Sequence, residues 1–253
     1  MLKKSIILSV IFALSLLCIF SACKKEAVTG AKKLTIATDA TWPPMEYVDA
    51  DRNIVGFGVD IVKAAAKEGG FEVELINQAW DGIFAGLAAG KYDAIMSSIT
   101  ITDERKKTMD FSIPYVTCGQ ILVVKKDNNS VTKLSDLEGK KVGAQISTTG
   151  ALEIRKNKKI IPKEYDEIGL AIEDLANGKI DAVVCDNPIA ANYVLQNQQY
   201  KPILKMAGDI FTAEKYGIAV TKGNTEVLEL INAGLKKVQE KGIDKELETR
   251  WLK

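Results

Sequence analysis

Short apolar runs alternate along this chain with segments whose apolar residues recur at helical spacing. Residues 34–38, 71–76 and 94–96 have the composition of strands, whereas residues 59–67 and 81–89 carry the helical pattern. Strands that are separated by helices imply parallel βαβ units. The first half of the chain therefore predicts an α/β sheet with helices packed on its faces.

The second half of the chain contains a near-copy of a segment in the first half. Residues 87–98 read LAAGKYDAIMSS, and residues 175–186 read LANGKIDAVVCD. In each copy a helix stops at a Gly-Lys turn, an Asp leads into an apolar strand, and polar groups follow. Ligands of parallel α/β sheets bind beyond the carboxyl ends of strands, so both copies predict site residues there. The alternative is that the repeat only reflects good turn chemistry after a helix.

Two further segments predict how the two units connect. Residues 119–126 form a strand-like run that leaves the first unit, and residues 216–221 form the matching return strand. Residues 225–251 are expected to be largely helical and to pack an apolar stripe on the first unit. The pattern predicts two lobes facing a cleft, with lobe 1 at 34–118 plus 217–253 and lobe 2 at 119–216. Two connections would make a stiff hinge.

The N-terminus predicts the cellular compartment. Lys3 and Lys4 precede an uncharged, mostly apolar run over residues 5–22, and Cys23 follows it. This layout is typical of a secretory signal peptide at residues 1–22. The sequence Phe-Ser-Ala-Cys at its end resembles a lipobox, with Phe where Leu is common, so Cys23 is the predicted lipidation site and residues 23–33 a tether. The protein is expected to be extracytoplasmic and membrane-anchored by lipid; the alternative is an uncleaved membrane helix.

Charge and composition exclude several classes of function. Removing residues 1–22 leaves 32 basic residues against 33 acidic ones, which argues against a nucleic-acid partner. The chain contains no histidine, so His-based triads and His metal sites are excluded. Cys118 and Cys185 lack C-x-x-C spacing, and whether they pair cannot be deduced. No metal and no cofactor is expected.

Residues 97–116 place an arginine beside small hydroxyl residues. Thr102 is a good helix N-cap, with acids in the first turn and Arg105 three residues later. A planar guanidinium beside hydroxyl and backbone N–H groups suits a carboxylate ligand. The neighbouring hydroxyl residues are Ser97, Ser98 and Thr100. The alternative is a capped surface helix with a solvated arginine.

Four motifs together resemble the polar amino-acid-binding proteins of bacterial ABC importers. They are residues 37–47 (ATDATWPPMEY), 97–107 (SSITITDERKK), 137–150 (LEGKKVGAQISTTG) and 181–188 (DAVVCDNP), and the resemblance spans about 34–253. It implies a periplasmic-binding-protein-like α/β fold, with two lobes that are joined by two β connections and close on one amino acid. It also implies a monomer that delivers its ligand to permease and ATPase subunits.

The resemblance assigns roles to the residues around the ligand's backbone. Arg105 would hold the α-carboxylate, supported by the backbone and hydroxyl of Thr100, and the N–H of Thr149 would grip it from the other lobe. Asp186 would pair with the α-ammonium, and Ser98, where members often carry Gly, would help through its carbonyl. Ser97 is placed with them. As alternatives, Thr149 and Asp186 each cap a helix.

The resemblance also places Trp42 and Trp80 on either side of the ligand's side chain, with Asp39 and Gln145 nearby. Two indoles and a carboxylate form a cage for a cation, which favours arginine, lysine or ornithine. The alternative is a neutral polar ligand such as glutamine or cystine, with Trp80 in the core and Asp39 in a turn. Glu46 is expected to be structural.

The sequence leaves two rival functions open. A few relatives of these binding proteins are secreted dehydratases of cyclic carboxylates, and Asp186 and Asp39 are the acids that could move protons. Their substrates lack an amine, however, so an ammonium-seeking Asp186 argues against an enzyme. A sensory module would have to act through another protein. The expected function is binding without catalysis.

Overall fold

The computed structural model describes residues 31–253. The predicted signal peptide, the lipidation site Cys23 and most of the tether lie outside the described residues. Within residues 31–253, none of the helices combines the length and apolar character needed to cross a membrane. The described part forms one compact unit that contains two large sheets.

The first sheet belongs to lobe 1 and has the strand order β5-β1-β6-β15-β7. Strand β1 pairs in parallel with β5 and β6, whereas β15 is antiparallel to β6 and β7. A small antiparallel sheet of β2, β3 and β4 follows β1. The bounds are β1 Lys33–Thr38, β2 Thr41–Trp42, β3 Glu46–Val48, β4 Ile54–Val55, β5 Glu72–Asn77, β6 Ala94–Ile95, β7 Met109–Phe111 and β15 Ala219–Thr221.

The second sheet belongs to lobe 2 and has the order β11-β10-β12-β9-β13. Strand β10 pairs in parallel with β11 and β12, and β9 is antiparallel to both of its neighbours, β12 and β13, as β15 is in lobe 1. The bounds are β9 Gln120–Lys125, β10 Lys141–Gln145, β11 Ile161–Tyr165, β12 Ala182–Asp186 and β13 Leu204–Ala207. The predicted α/β fold with two sheet-containing lobes is confirmed.

The helices cover the faces of both sheets. Their bounds are α1 Phe57–Gly69, α2 Ile83–Ala88, α3 Asp103–Lys106, α4 Thr149–Lys156, α5 Ile168–Ala176, α6 Asn187–Ala191, α7 Thr225–Glu240 and α8 Ile243–Trp251. The long helical pattern after residue 225 is two helices, because Gly242 between them adopts the left-handed conformation with φ 71°. Of the apolar stripe expected on helix α7, Val227, Ile231, Leu235 and Val238 are buried, and Leu230 is only partly buried.

The near-copies found in the sequence are the same turn in both lobes. Gly90 and Gly178 follow helices α2 and α5 with φ near 70°. Asp93 accepts a hydrogen bond from the N–H of Thr35, and Asp181 accepts one from the N–H of Lys141. Each Asp thus ties the start of its own strand to the neighbouring strand, which aligns the carboxyl ends of the two strands.

Two short strands, β8 Val116–Cys118 and β14 Glu214–Tyr216, pair antiparallel where the chain passes between the lobes. The prediction of a single return strand at 216–221 is therefore wrong. That segment is divided between β14 and β15, because the first part pairs in the hinge and the second part pairs in the lobe 1 sheet.

Gly119 directly follows strand β8 and fits closely against the other hinge segment. A Cβ at this position would lie 2.1 Å from the carbonyl oxygen of Thr212. The largest hydrophobic cluster runs without interruption from Ile36 in lobe 1 through Val116 and Cys118 to Val183 in lobe 2. The hinge is therefore packed as core rather than as a loose linker.

Candidate functional site

All ten residues singled out as binding candidates line one cavity between the two sheets, and Thr148 lines it as well. They come from strand ends, helix starts and the loops that follow strands. The lining residues are Asp39, Trp42, Trp80, Ser97, Ser98, Thr100, Arg105, Gln145, Thr148, Thr149 and Asp186. That these residues bind a ligand stays a prediction; the structure brings them together.

Arg105 is held in place from three sides. Its backbone N–H donates to the hydroxyl of Thr102, which caps helix α3 as predicted. Its Nη1 donates to the carbonyl of Thr100 at 2.9 Å, and its Nη2 donates to the carbonyl of Ser147 at 3.2 Å. The guanidinium carbon lies 5.8 Å from the ring centre of Trp80. The remaining N–H donors can therefore meet a carboxylate in a fixed plane.

Helix α4 begins at Thr149 and points its start toward the cavity. The N-cap is Thr148, whose hydroxyl accepts from the N–H of Ala151 at 3.2 Å, so Thr149 is not the cap. The first N–H groups of a helix have no partner within it. The N–H of Thr149 is therefore a donor of the kind that binds anions at helix starts.

Asp186 ends strand β12 and is 4% exposed. It occupies the N-cap position of helix α6, but its side chain makes no capping hydrogen bond, so the capping alternative fails. The thiol of Cys118 donates to it at 3.7 Å. Burial and the nearby charge of Glu214 raise the pKa of Asp186 to about 6. This carboxylate lies in a place where a positive charge would stabilise its ionised form.

Asp39 follows strand β1 and is 3% exposed. Its two oxygens accept one hydrogen bond each, from the hydroxyl of Thr41 at 2.8 Å and from Nε2 of Gln145 at 3.1 Å. Burial raises the pKa of Asp39, although these two donors oppose the shift. Its N–H donates to the hydroxyl of Ser97. A carboxylate has about four acceptor positions, so Asp39 retains capacity for a ligand.

The two tryptophans line the cavity together with Asp39. Both are 7% exposed. Trp80 packs against Ile83 and Leu87 in a hydrophobic cluster and also lines the cavity, so its core role and its pocket role are compatible. Its Nε1–H donates to the carbonyl of Ile146 at 2.8 Å.

Ser98 and Glu46 form a buried region beside the cavity. Ser98 has φ 47°, a conformation that a glycine would adopt with less strain. Glu46 is fully buried, and neither of its carboxyl oxygens has a hydrogen-bond partner among the described residues. Burial raises the pKa of Glu46 well above its usual value.

Glu214 is a buried carboxylate that the sequence reasoning missed. It lies on hinge strand β14 behind the cavity wall and is 8% exposed. Its Oε2 accepts from the hydroxyls of Thr100 and Thr149, each at 2.8 Å, and its Oε1 accepts from the hydroxyl of Thr212. The sequence signal that could have identified Glu214 was an acidic residue two positions before the predicted return strand.

Hydrogen bonds and one close approach of two hydroxyl oxygens cross between the lobes around the cavity. Trp80 donates to Ile146, Gln145 donates to Asp39, Arg105 donates to Ser147, and the hydroxyl oxygens of Thr100 and Thr149 lie 3.4 Å apart. These contacts describe a closed conformation, in which the two halves of the candidate site meet.

Comparison with known proteins is consistent with this geometry. The family model of bacterial extracellular solute-binding proteins, family 3, matches residues 34–253. A probable histidine-binding protein of Neisseria gonorrhoeae is 38% identical over 222 residues, covering 85% of this chain and 81% of the relative. The L-cystine-binding protein TcyJ of Escherichia coli (strain K12) is 33% identical over 221 residues, covering 87% and 82%.

Among solved structures, an ancestral arginine-binding protein bound to arginine superposes with a TM-score of 0.83. It is 40% identical in sequence, and the match covers 88% of this chain and 100% of that one. The similarity thus extends over both lobes and the hinge.

Proposed function

The chain belongs to family 3 of the bacterial extracellular solute-binding proteins, and from that premise we propose that it captures a basic L-amino acid and delivers it to an ABC permease. Amino-acid binding for ABC import is the function of the family, and its members are extracytoplasmic. Arginine, lysine and ornithine are the ligands we propose. The protein acts by lobe closure and performs no chemistry on its ligand.

The ligand's backbone groups are recognised by complementary charges from both lobes. Arg105 and the N–H of Thr149 bind the α-carboxylate, with the backbone of Thr100 alongside. Asp186 and the carbonyl of Ser98 bind the α-ammonium. The ligand makes all of these contacts only in the closed state, so its binding favours closure. We keep lobe 1 as 34–118 plus 217–253 and lobe 2 as 119–216, because the hinge strands end at Cys118 and Tyr216.

The main observation in support of a basic ligand is the charge balance of the cavity. Arg105 is opposed by two nearby buried carboxylates, Asp186 and Glu214, and Asp39 adds a third at the side-chain end. The backbone of any amino acid is a zwitterion and adds no net charge. A positively charged side chain between Trp42 and Trp80 would compensate Asp39, which a neutral side chain cannot do.

A neutral polar ligand such as cystine or glutamine is the second candidate. It is supported by the hydrogen bond between Gln145 and Asp39, since a carboxylate that already accepts from an amide can accept from another. It is also supported by the cystine-binding relative.

The deciding experiment is a thermal-shift screen of the protein lacking residues 1–22, purified free of bound ligand. A ligand that binds only the native state raises the melting temperature by mass action. Selective shifts with arginine, lysine or ornithine are expected. A larger shift with cystine or glutamine would replace the basic ligand by the second candidate. If no amino acid produced a shift, the assignment to amino-acid transport would fail for this chain.

A further inference from the structure

Glu214 touches the candidate site only through other residues. Thr100 of lobe 1 and Thr149 of lobe 2 both line the cavity, and both hydroxyls donate to the same oxygen of Glu214 at 2.8 Å. Glu214 itself lies behind them on the hinge. One buried carboxylate therefore contacts both lobes at the point where they meet.

The count of protons determines what the two threonines can offer to a ligand. A hydroxyl has one proton to donate and two lone pairs that accept. Both protons are donated to Glu214, which as a carboxylate only accepts. Thr149 also accepts from Nε2 of Gln120 at 3.2 Å. Toward the cavity, the two hydroxyls can therefore act as acceptors and not as donors.

This conclusion changes one expectation from the sequence. The hydroxyl of Thr100 was expected to support the ligand's carboxylate, but an acceptor repels a carboxylate oxygen. An ammonium, which has three donors and no acceptor, is the group that fits. The α-carboxylate of the ligand is then bound by Arg105 and by backbone N–H groups.

Glu214 also adds negative charge beside the predicted ammonium partner. An oxygen of Glu214, an oxygen of Asp186 and the sulfur of Cys118 all lie within 4.8 Å of one another, and all three residues are buried. Burial and the Asp186 charge raise the pKa of the Cys118 thiol, so it adds no charge at neutral pH. Two adjacent carboxylates in a buried site are stabilised by a cation between them or beside them.

We propose that Glu214 is a positioning residue for amine recognition, which orients the hydroxyls of Thr100 and Thr149 as acceptors and supplements the charge of Asp186. The inference rests on the proposed amino-acid ligand and extends it. It makes discrimination between an α-amino acid and its des-amino analogue depend on a residue that does not line the cavity.

The test uses Glu214→Gln and compares two ligands by calorimetry: L-arginine and 5-guanidinopentanoate, which lacks the α-amino group. Glutamine is close in size to glutamate but carries no charge, and its Nε2 is a donor where the carboxylate had only acceptors, so the charge beside Asp186 and the carboxylate partner of the two hydroxyls are both lost. We expect the affinity for L-arginine to fall by about tenfold or more, and the affinity for the analogue to change by less than about threefold. The preference for the amine should shrink accordingly.

Thr212→Val is the matched control. It removes a hydrogen bond to the other oxygen of Glu214 and the acceptor for the N–H of Gln120, but it leaves the charge and both cavity threonines in place. It should leave the preference between the two ligands unchanged. Equal weakening of both ligands by Glu214→Gln would overturn the proposal, because it would mean that Glu214 only stabilises the closed state.

Two further measurements cover the remaining outcomes. If Glu214→Gln fails to fold, Thr100→Val replaces it; loss of the acceptor should then weaken L-arginine more than the analogue, and equal weakening would overturn the proposal. If the wild type binds L-glutamine instead of L-arginine, the same comparison is made with L-glutamine and 4-carbamoylbutanoate. Failure of the basic ligand and failure of the Glu214 role are thus separate results.

Discussion

Asp186 lies close enough to Glu214 for the charge of Glu214 to raise the pKa of Asp186. Because burial and Glu214 raise the pKa of Asp186 from 3.8 to about 6, the ligand-free protein holds a proton on Asp186 between these pH values that the unfolded chain has lost. When the pH rises through this range, the contribution of Asp186 therefore lowers the free energy of unfolding of the ligand-free protein. A bound ammonium reverses this preference, since it favours the ionised carboxylate.

We therefore expect the affinity for L-arginine to depend on pH around the pKa of Asp186. The dissociation constant should be nearly constant above pH 7 and should rise by up to about tenfold per pH unit below pH 6. The neighbouring groups Cys118 and Tyr216 do not titrate there, because burial raises both of their pKa values. Calorimetry from pH 5 to pH 8 measures the profile.

Asp186→Asn provides the control for this profile. It should bind weakly and lose the steep decline below pH 6, because the titrating group has been removed. A wild-type affinity that is independent of pH between 5 and 7 would contradict the role of Asp186 in binding the ammonium.

Asp39 is the residue that we propose selects the side chain of the ligand. We expect Asp39→Asn to weaken L-arginine about tenfold more than L-glutamine, or about 1.4 kcal/mol in relative terms, because only the cationic ligand loses a charged partner. Competition binding with both amino acids gives the ratio. Thr41→Val is a suitable control, since it removes a donor to Asp39 and keeps its charge. An unchanged ratio would exclude the cationic pocket.

The residues that line the cavity could be located from sequence with the help of the family resemblance, whereas the contacts of Glu214 could not. Arg105, Thr149 and Asp186 each follow a local signal, namely an N-cap, a helix start and a strand end. The two threonines that bind Glu214 are 114 and 65 residues away from it in sequence. No local sequence pattern encodes these hydrogen bonds, which depend on how the lobes close.

At the scale of elements, the strands that pair within a lobe were predicted well, and the hinge was not. Strand β1, predicted at 34–38, spans Lys33–Thr38. The run at 216–221 is equally apolar throughout, so hydropathy alone gives no reason to divide it. The division arises because Glu214–Tyr216 pairs with β8 in the hinge, a contact between segments about 100 residues apart.

Gly119 tests how tightly the hinge is packed. A methyl group at this position would overlap the carbonyl oxygen of Thr212, which is backbone and cannot rotate away. Gly119→Ala should therefore lower the free energy of unfolding by about 1–3 kcal/mol, as over-packing does elsewhere. Urea denaturation measures the loss. Thr117→Ala, an exposed position on the adjacent strand, should cost less than about 0.5 kcal/mol. Equal stability of the two variants would mean that the hinge can relax.

At the scale of the whole molecule, the described lobes belong to an extracytoplasmic family, and the predicted anchor would hold them at the membrane. Cys23→Ser should move the protein from the membrane fraction to the soluble fraction, because it removes the thiol that is predicted to carry the lipid. Cys18→Ser lies within the predicted signal peptide and should leave the distribution unchanged. Immunoblots of separated fractions give the answer. Membrane retention of Cys23→Ser would favour the uncleaved helix instead.

The hydrogen bond from Trp80 to Ile146 joins the two lobes through an indole that is 7% exposed. Opening the cleft breaks this bond and brings the indole into contact with water. Because indole emission shifts to longer wavelength in polar surroundings, the protein carries its own optical signal for closure. Trp42 lies in the same cavity and adds to that signal, whereas Trp251 packs edge-on against Tyr47 outside it. The rate of closure can thus be followed by stopped-flow fluorescence without attaching a dye.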